Sequence, residues 1–310
     1  MRYLNAKLLR ARPGQVGRRH DRQWLTAGGT LRTMSIHPFD QALALTPGDQ
    51  ADRRGHYTGQ TQAAYANMIG PFGGLTAALA LQAVLQHPDL LGEPVALTVN
   101  FAAAEADGPF QVRAVPARNN RSTQHWTVEF TQPDAAGQPQ VVTTATAMTA
   151  LPRQTWAAQD AAMPSVPPPD AVARVARPPV VAWLGRYEMR PISGDIPTAW
   201  DGQGEHSLSQ LWLRDAPPRP LDHVGLTALA DLFFPRVWLR RATRVPAGTV
   251  SMTVYFHATA AELAATGRGL LLGQARAQTY RHGFFDQSAQ LWNQAGQLLA
   301  SSHQLVYFKH

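Results

Sequence analysis

VALTVNFAA, residues 95–103, and VSMTVYFHA, residues 250–258, read as one strand written twice, 155 residues apart. Both are rich in β-branched and aromatic residues with rough alternation, the pattern of a half-buried strand. A second pair, AAGQP at 135–139 and QAGQL at 294–298, repeats at an offset of 159. The drift of four residues falls in AELAATGRG (261–269), read as a loop where an insertion costs little. Working outward, each half runs in the same order: an apolar helix, an alternating strand, then long strands broken by Gly, Pro, Asp and Asn.

The helix of the first half is GGLTAALALQAVLQH (73–87), closed by Pro88 and without a charge from Leu75 to Gln86. A helix apolar on nearly every side has to be buried. The second helix is expected from Asp222, as N-cap, to a break near Pro235. A buried helix and a set of antiparallel strands satisfy each other when the sheet wraps the helix. The expected class is therefore α+β, a double hotdog: two tandem repeats of a long central helix wrapped by an antiparallel sheet. The expected boundaries are an N-terminal hotdog over 35–151, a Pro/Ala-rich linker over 152–175 and a C-terminal hotdog over 176–310.

Residues 1–34 carry eight Arg or Lys against one acid, and the remaining 20 basic and 20 acidic residues cancel. The net charge of +7 thus belongs to a leader, read as a disordered extension ahead of Met34, and the neutral body argues against a nucleic-acid partner. No run of about 18 apolar residues predicts a membrane span. The absence of cysteine removes disulfides and thiolate chemistry and fits a cytoplasmic location. The 11 histidines show no metal-ligand spacing, so neither a metal nor another cofactor is expected.

One acid stands out. In LTALADLFFPRVWL (226–239), Asp231 shares a narrow polar strip with Thr227 at i and i+4 on an otherwise apolar helix. By the repeat offsets it corresponds to Thr76, Thr249 to Pro94, and Gln304 to Ala145. Three polar positions of the second half are thus apolar or non-ionisable in the first, as expected of one functional and one degenerate half. Strict alternation puts Val250, Met252, Val254 and Phe256 on the core face and Thr249 away from it.

Asp231 in its apolar helix, Thr249 ahead of VSMTVYFH, ASSHQ ending at Gln304, and NMIGPFGGLTAAL together resemble the acyl-CoA thioesterase II group of double-hotdog enzymes, over residues 37–310. That family's strand commonly continues past its histidine with an arginine, whereas here Ala258 follows His257, which reads as structural. The resemblance implies acyl-CoA as the substrate and Asp231, Thr249 and Gln304 as the catalytic trio that binds the attacking water. Asp231 would be the general base, with a pKa raised by burial, and the helix-start N–H groups of Gly73 and Gly74 candidate oxyanion donors. Two alternatives stand beside it: a hotdog hydratase or dehydratase using an acid–histidine pair such as Asp222 with His223 or Asp286 with His282, and a non-catalytic acyl-CoA binder. Exposed sheet edges point to a homo-oligomer.

Overall fold

A computed structural model describes residues 36–48, 54–175 and 181–309. The expectation of a disordered leader over 1–34 lies outside the described residues. The first half holds α1 (Pro38–Ala42), β1 (Thr46–Pro47), β2 (His56–Gln60), α2 (Gly73–Leu85), β3 (Glu93–Phe101), β4 (Pro109–Asn119), β5 (Thr123–Pro133) and β6 (Pro139–Ala150). The second holds β7 (Tyr187–Ser193), β8 (Ser209–Asp215), α3 (His223–Leu229), α4 (Arg236–Arg241), β9 (Ala247–Phe256), α5 (Ala260–Thr266), β10 (Leu271–Arg276), β11 (Tyr280–Arg281), β12 (Phe284–Trp292) and β13 (Leu298–Phe308).

The strands form one antiparallel sheet in the order β1-β2-β4-β5-β6-β3-β9-β13-β12-β10-β8-β7, with β11 paired to β12. Its two halves meet at β3 and β9, the strands whose similarity is plain in the sequence. Thr98 pairs with Thr253, its own counterpart 155 residues on, and the two hydroxyls lie 2.9 Å apart. The repeat therefore folds about a local two-fold axis through that pair. α2 and α3 pack against each other and α2 against β3–β6, and every residue from Gly74 to Leu81 is buried. A sheet around two buried helices is the double hotdog. Between the halves, the Pro/Ala-rich stretch lacks regular structure from Leu151 to Pro168 but is tied down, with Gln159 bonded to Gly296 and Leu298 and Trp212 to Pro167.

The hairpin turns repeat as well. Asp134 accepts from the N–H groups of Ala136 and Gln138, and Asn293 from those of Ala295 and Gln297. Gly137 and Gly296 follow at φ 78° and 85°, a region that favours glycine. Three expectations are corrected. AELAATGRG holds the short helix α5, started by a Thr259–Glu262 capping box, so the insertion is a helix and not a loop. The second central helix is only seven residues long; it ends at Leu229 with Ala230 as C-cap, well before Pro235. Asp231 therefore stands in the turn after the helix, where its N–H bonds the Ala228 carbonyl at 3.1 Å. Thr227 shares no polar strip with it: the residue is fully buried and its hydroxyl donates back to the His223 carbonyl at 2.8 Å.

Candidate active site

The inward position of Thr249 comes from a β-bulge. Along β13, Gln304 faces Met252, Leu305 faces Ser251, and Val306 faces Thr249, so Val250 is passed over. One extra residue reverses the parity of a strand. Thr249 consequently joins the face of Met252, whereas Val250 is 37% exposed, which corrects the expected core position of Val250. The first half has the same bulge: Pro94 faces Thr149, Ala96 faces Met148, and Val95 is passed over. The register also corrects the counterpart of Gln304. Met252 corresponds to Leu97, whose partner is Ala147 rather than Ala145, because two residues are lost after the second hairpin turn.

The buried Gln304 side chain links the other two residues. Its Nε2 donates to Asp231 Oδ1 at 2.8 Å, and its Oε1 accepts from Thr249 Oγ1 at 3.1 Å. Nε2 also approaches Met252 Sδ at 3.5 Å. Two residues back on the same face, Ser302 Oγ donates to the Ala230 carbonyl at 3.4 Å and fixes the turn that carries Asp231. Sheet and turn thus hold the carboxylate from below.

From the other half comes the start of α2. The Gly74 N–H donates to the Asp231 carboxylate, placing an acid at the positive end of a helix whose first N–H groups have no partner within it. A Cβ on Gly73 would lie 3.0 Å from Asp231 Oδ2, so the glycine lets the carboxylate approach. The Gly73 N–H makes no hydrogen bond among the described residues. A Cβ on Gly74 would lie 2.8 Å from the Ala228 carbonyl oxygen and 2.5 Å from the Phe72 ring. Backbone cannot yield there as a side-chain tip can. Gly74→Ala is expected to destabilise the fold by about 1–3 kcal/mol, read as a lower urea midpoint at unchanged slope; an unchanged midpoint would refute the close approach.

Burial dominates the electrostatics. It pushes the Asp231 pKa up to about 7, against the lowering effects of the Gln304 and Gly74 hydrogen bonds. Asp231 is therefore a carboxylate that changes state near neutrality. A carboxylate accepts several hydrogen bonds, so the two seen leave capacity for a water. Surface concavities of about 380 Å³, beside Leu239, and about 250 Å³, between Arg113 and Glu129, include none of these residues.

The acid–histidine pairs weighed for hydratase chemistry have other commitments. Asp222 caps α3 through Gly225 N–H and pairs with Arg219 at 2.6 Å. His223 is buried against Phe256 with Nε2 on the Ala258 carbonyl. Asp286 accepts from Gln278 and Thr279 N–H, and His282 sits at φ 53° in the turn before β12. His257 is exposed and bonds Ser301 at 3.0 Å. Among the described residues no group of three or more His, Cys, Asp or Glu is placed to hold a metal ion, and no helix is long and apolar enough to cross a membrane.

The first half keeps a buried acid that the repeat alone does not reveal. Thr76, the counterpart of Asp231, donates to Glu105 at 3.2 Å, and Thr143 donates to the other Glu105 oxygen at 3.0 Å. Glu105 comes from the loop after β3, so a comparison of helix positions misses it. Burial raises its pKa.

Comparison with known proteins places the chain. The acyl-CoA thioesterase N-terminal domain model matches residues 62–150 and the C-terminal domain model residues 157–308. A conserved hotdog-fold protein of unknown function from Alicyclobacillus acidocaldarius is 46% identical, with a TM-score of 0.81, covering 89% of this chain and 99% of that one. An acyl-CoA thioesterase II from Mycobacterium marinum aligns with a TM-score of 0.67 at 19% identity over 88% and 98% of the two chains. A dehydratase domain from Mycobacterium tuberculosis aligns with 0.53 at 12% over 89% and 99%. None of the curated proteins matches the chain. The chain belongs to the acyl-CoA thioesterase family with a double-hotdog fold.

Proposed function

From that membership we propose that the protein hydrolyses acyl-CoA to a free fatty acid and CoA, by direct attack of a water on the thioester carbonyl. The observation that carries the reading is the Thr249–Gln304–Asp231 line ending on a partly buried carboxylate. Ionised Asp231 takes a proton from the water as the C–O bond forms. Gln304 and Thr249 fix the carboxylate and offer the water further polar partners. The Gly74 N–H is directed at Asp231, so the Gly73 N–H is the oxyanion donor in this scheme. The C–S bond then breaks, the thiolate takes the proton from Asp231, and the product acid ionises.

No cysteine is present, and direct hydrolysis needs no covalent nucleophile. We place the reaction in the cytoplasm and the enzyme in a homo-oligomer, on the cysteine-free composition and the sheet edges β1 and β7. Colorimetric thiol release across short, medium and long acyl-CoAs tests the activity. Thiol release with free acid as co-product supports it; binding without release, or hydration of an enoyl-CoA, refutes it.

A further inference from the structure

The stretch PRVWLRRATR (235–244), which follows the turn carrying Asp231, holds four arginines and no acid in a body whose charges otherwise cancel. Arg236 is buried and spends its donors on Phe234, Ser207 and Ser209. Arg240 and Arg244 are exposed, and neither forms an ion pair among the described residues. The Arg244 guanidinium lies over two indoles, 5.5 Å from the Trp200 ring and 5.8 Å from that of Trp238, and Trp200 is itself 39% exposed. Two cations without acids, set beside an open aromatic face, match a ligand that carries both phosphate and a planar base.

Backbone contacts fix this face. The loop over 197–206 is tied to the end of α4 by the Arg240 side chain, which donates to the Gly204 carbonyl at 2.7 Å, and by the Gly202 N–H, which donates to the Ala242 carbonyl at 3.2 Å. Between loop and helix end lies the concavity of about 380 Å³, with Asp201 and Glu205 on its wall. Those carboxylates suit the amino group of adenine, which donates, and the arginines suit phosphate. The face is also continuous with the site. Trp238 packs in one apolar cluster with Val306, the register partner of Thr249, and Thr249 is half-buried where Gln304 is buried. From Asp231 through α4 to Arg240 the chain spans at most about 23 Å, within reach of an extended CoA.

We propose that this face holds the nucleotide end of CoA. Arg240 and Arg244 take its phosphates, Trp200 stacks on the adenine, and the pantetheine arm runs past Trp238 and Thr249 to Asp231. No bond is made or broken there; the face supplies affinity and holds the thioester at the carboxylate. The identity of the ligand as CoA rests on the thioesterase reading; the pairing of two arginines with an open indole does not.

The test uses the full chain and two probes, CoA and adenosine 3′,5′-bisphosphate, titrated calorimetrically. Arg240→Ala and Arg244→Ala are each expected to weaken both probes about tenfold, the worth of one charge-assisted hydrogen bond at a surface. Trp200→Ala should do the same through lost stacking, about tenfold again. In turnover, the preference for acyl-CoA over the same acyl group on N-acetylcysteamine, which lacks the nucleotide, is expected to fall about 100-fold when both arginines are replaced, through KM rather than kcat. Wild-type affinity for both probes in the double variant overturns the site, as does a wild-type chain that binds neither. Weakened binding in a chain that releases no thiol from acyl-CoA supports the site and refutes the thioesterase reading instead.

Discussion

Asp231→Asn should lower kcat on acyl-CoA by about 10²–10⁴-fold, the usual worth of a positioned general base, while KM changes little and the protein becomes more stable. The opposite signs follow from one cause. Burial raises the Asp231 pKa to about 7, against about 3.9 in an unfolded chain. The unfolded state therefore ionises first as pH rises. The Asp231 contribution to stability is therefore most favourable below pH 4, falls between pH 4 and 7, and carries the full cost of the desolvated charge above pH 7.

An amide in its place removes that cost, on the order of 1–3 kcal/mol at pH 8 after allowance for the partial exposure of the side chain. Activity should run the other way, with wild-type kcat/KM falling below an acid limb near pH 7, where the base becomes protonated. Thiol release and urea denaturation on the same preparations check both. A variant that keeps both the rate and the pH-dependent stability cost would show that Asp231 neither acts as the base nor carries a raised pKa.

Gln304→Ala should cost about 10²-fold in kcat, the scale for losing one well-aimed hydrogen-bond donor. The Gln304 amide is the sole link seen between Thr249 and Asp231 among the described residues. Its bond to Asp231 holds the carboxyl pKa down against burial, so its loss should also move the acid limb upward from pH 7. Gln304→Glu should move the limb further, because a second carboxylate beside Asp231 disfavours ionisation of both. An unchanged limb in both variants, read from pH–rate profiles, would separate Gln304 from the carboxylate.

The repeat in TVNF and TVYF laid the fold open, because a strand that must pair at a pseudo-two-fold keeps its alternation in both copies. α2 was legible for a similar reason: a helix with no polar side has one place to go. Local backbone events were not legible. The bulge at Val250 leaves no mark in residue types, yet it alone carries Thr249 to the inner face. The end of α3 at Leu229 was hidden because LTALADLFF satisfies a helical pattern throughout. The approach of Asp231 to Gly73 and Gly74 depends on contacts between distant elements that a single sequence does not encode by spacing.

The most direct measurement is one turnover in H₂¹⁸O, with enzyme in excess over acyl-CoA. Direct attack by a water held on Asp231 predicts that the first fatty acid released carries one ¹⁸O and that the Asp231 carboxylate, recovered in its peptide, carries none. A first-turnover product holding only ¹⁶O, with the label found on Asp231, would instead make the carboxylate a covalent nucleophile and contradict the account.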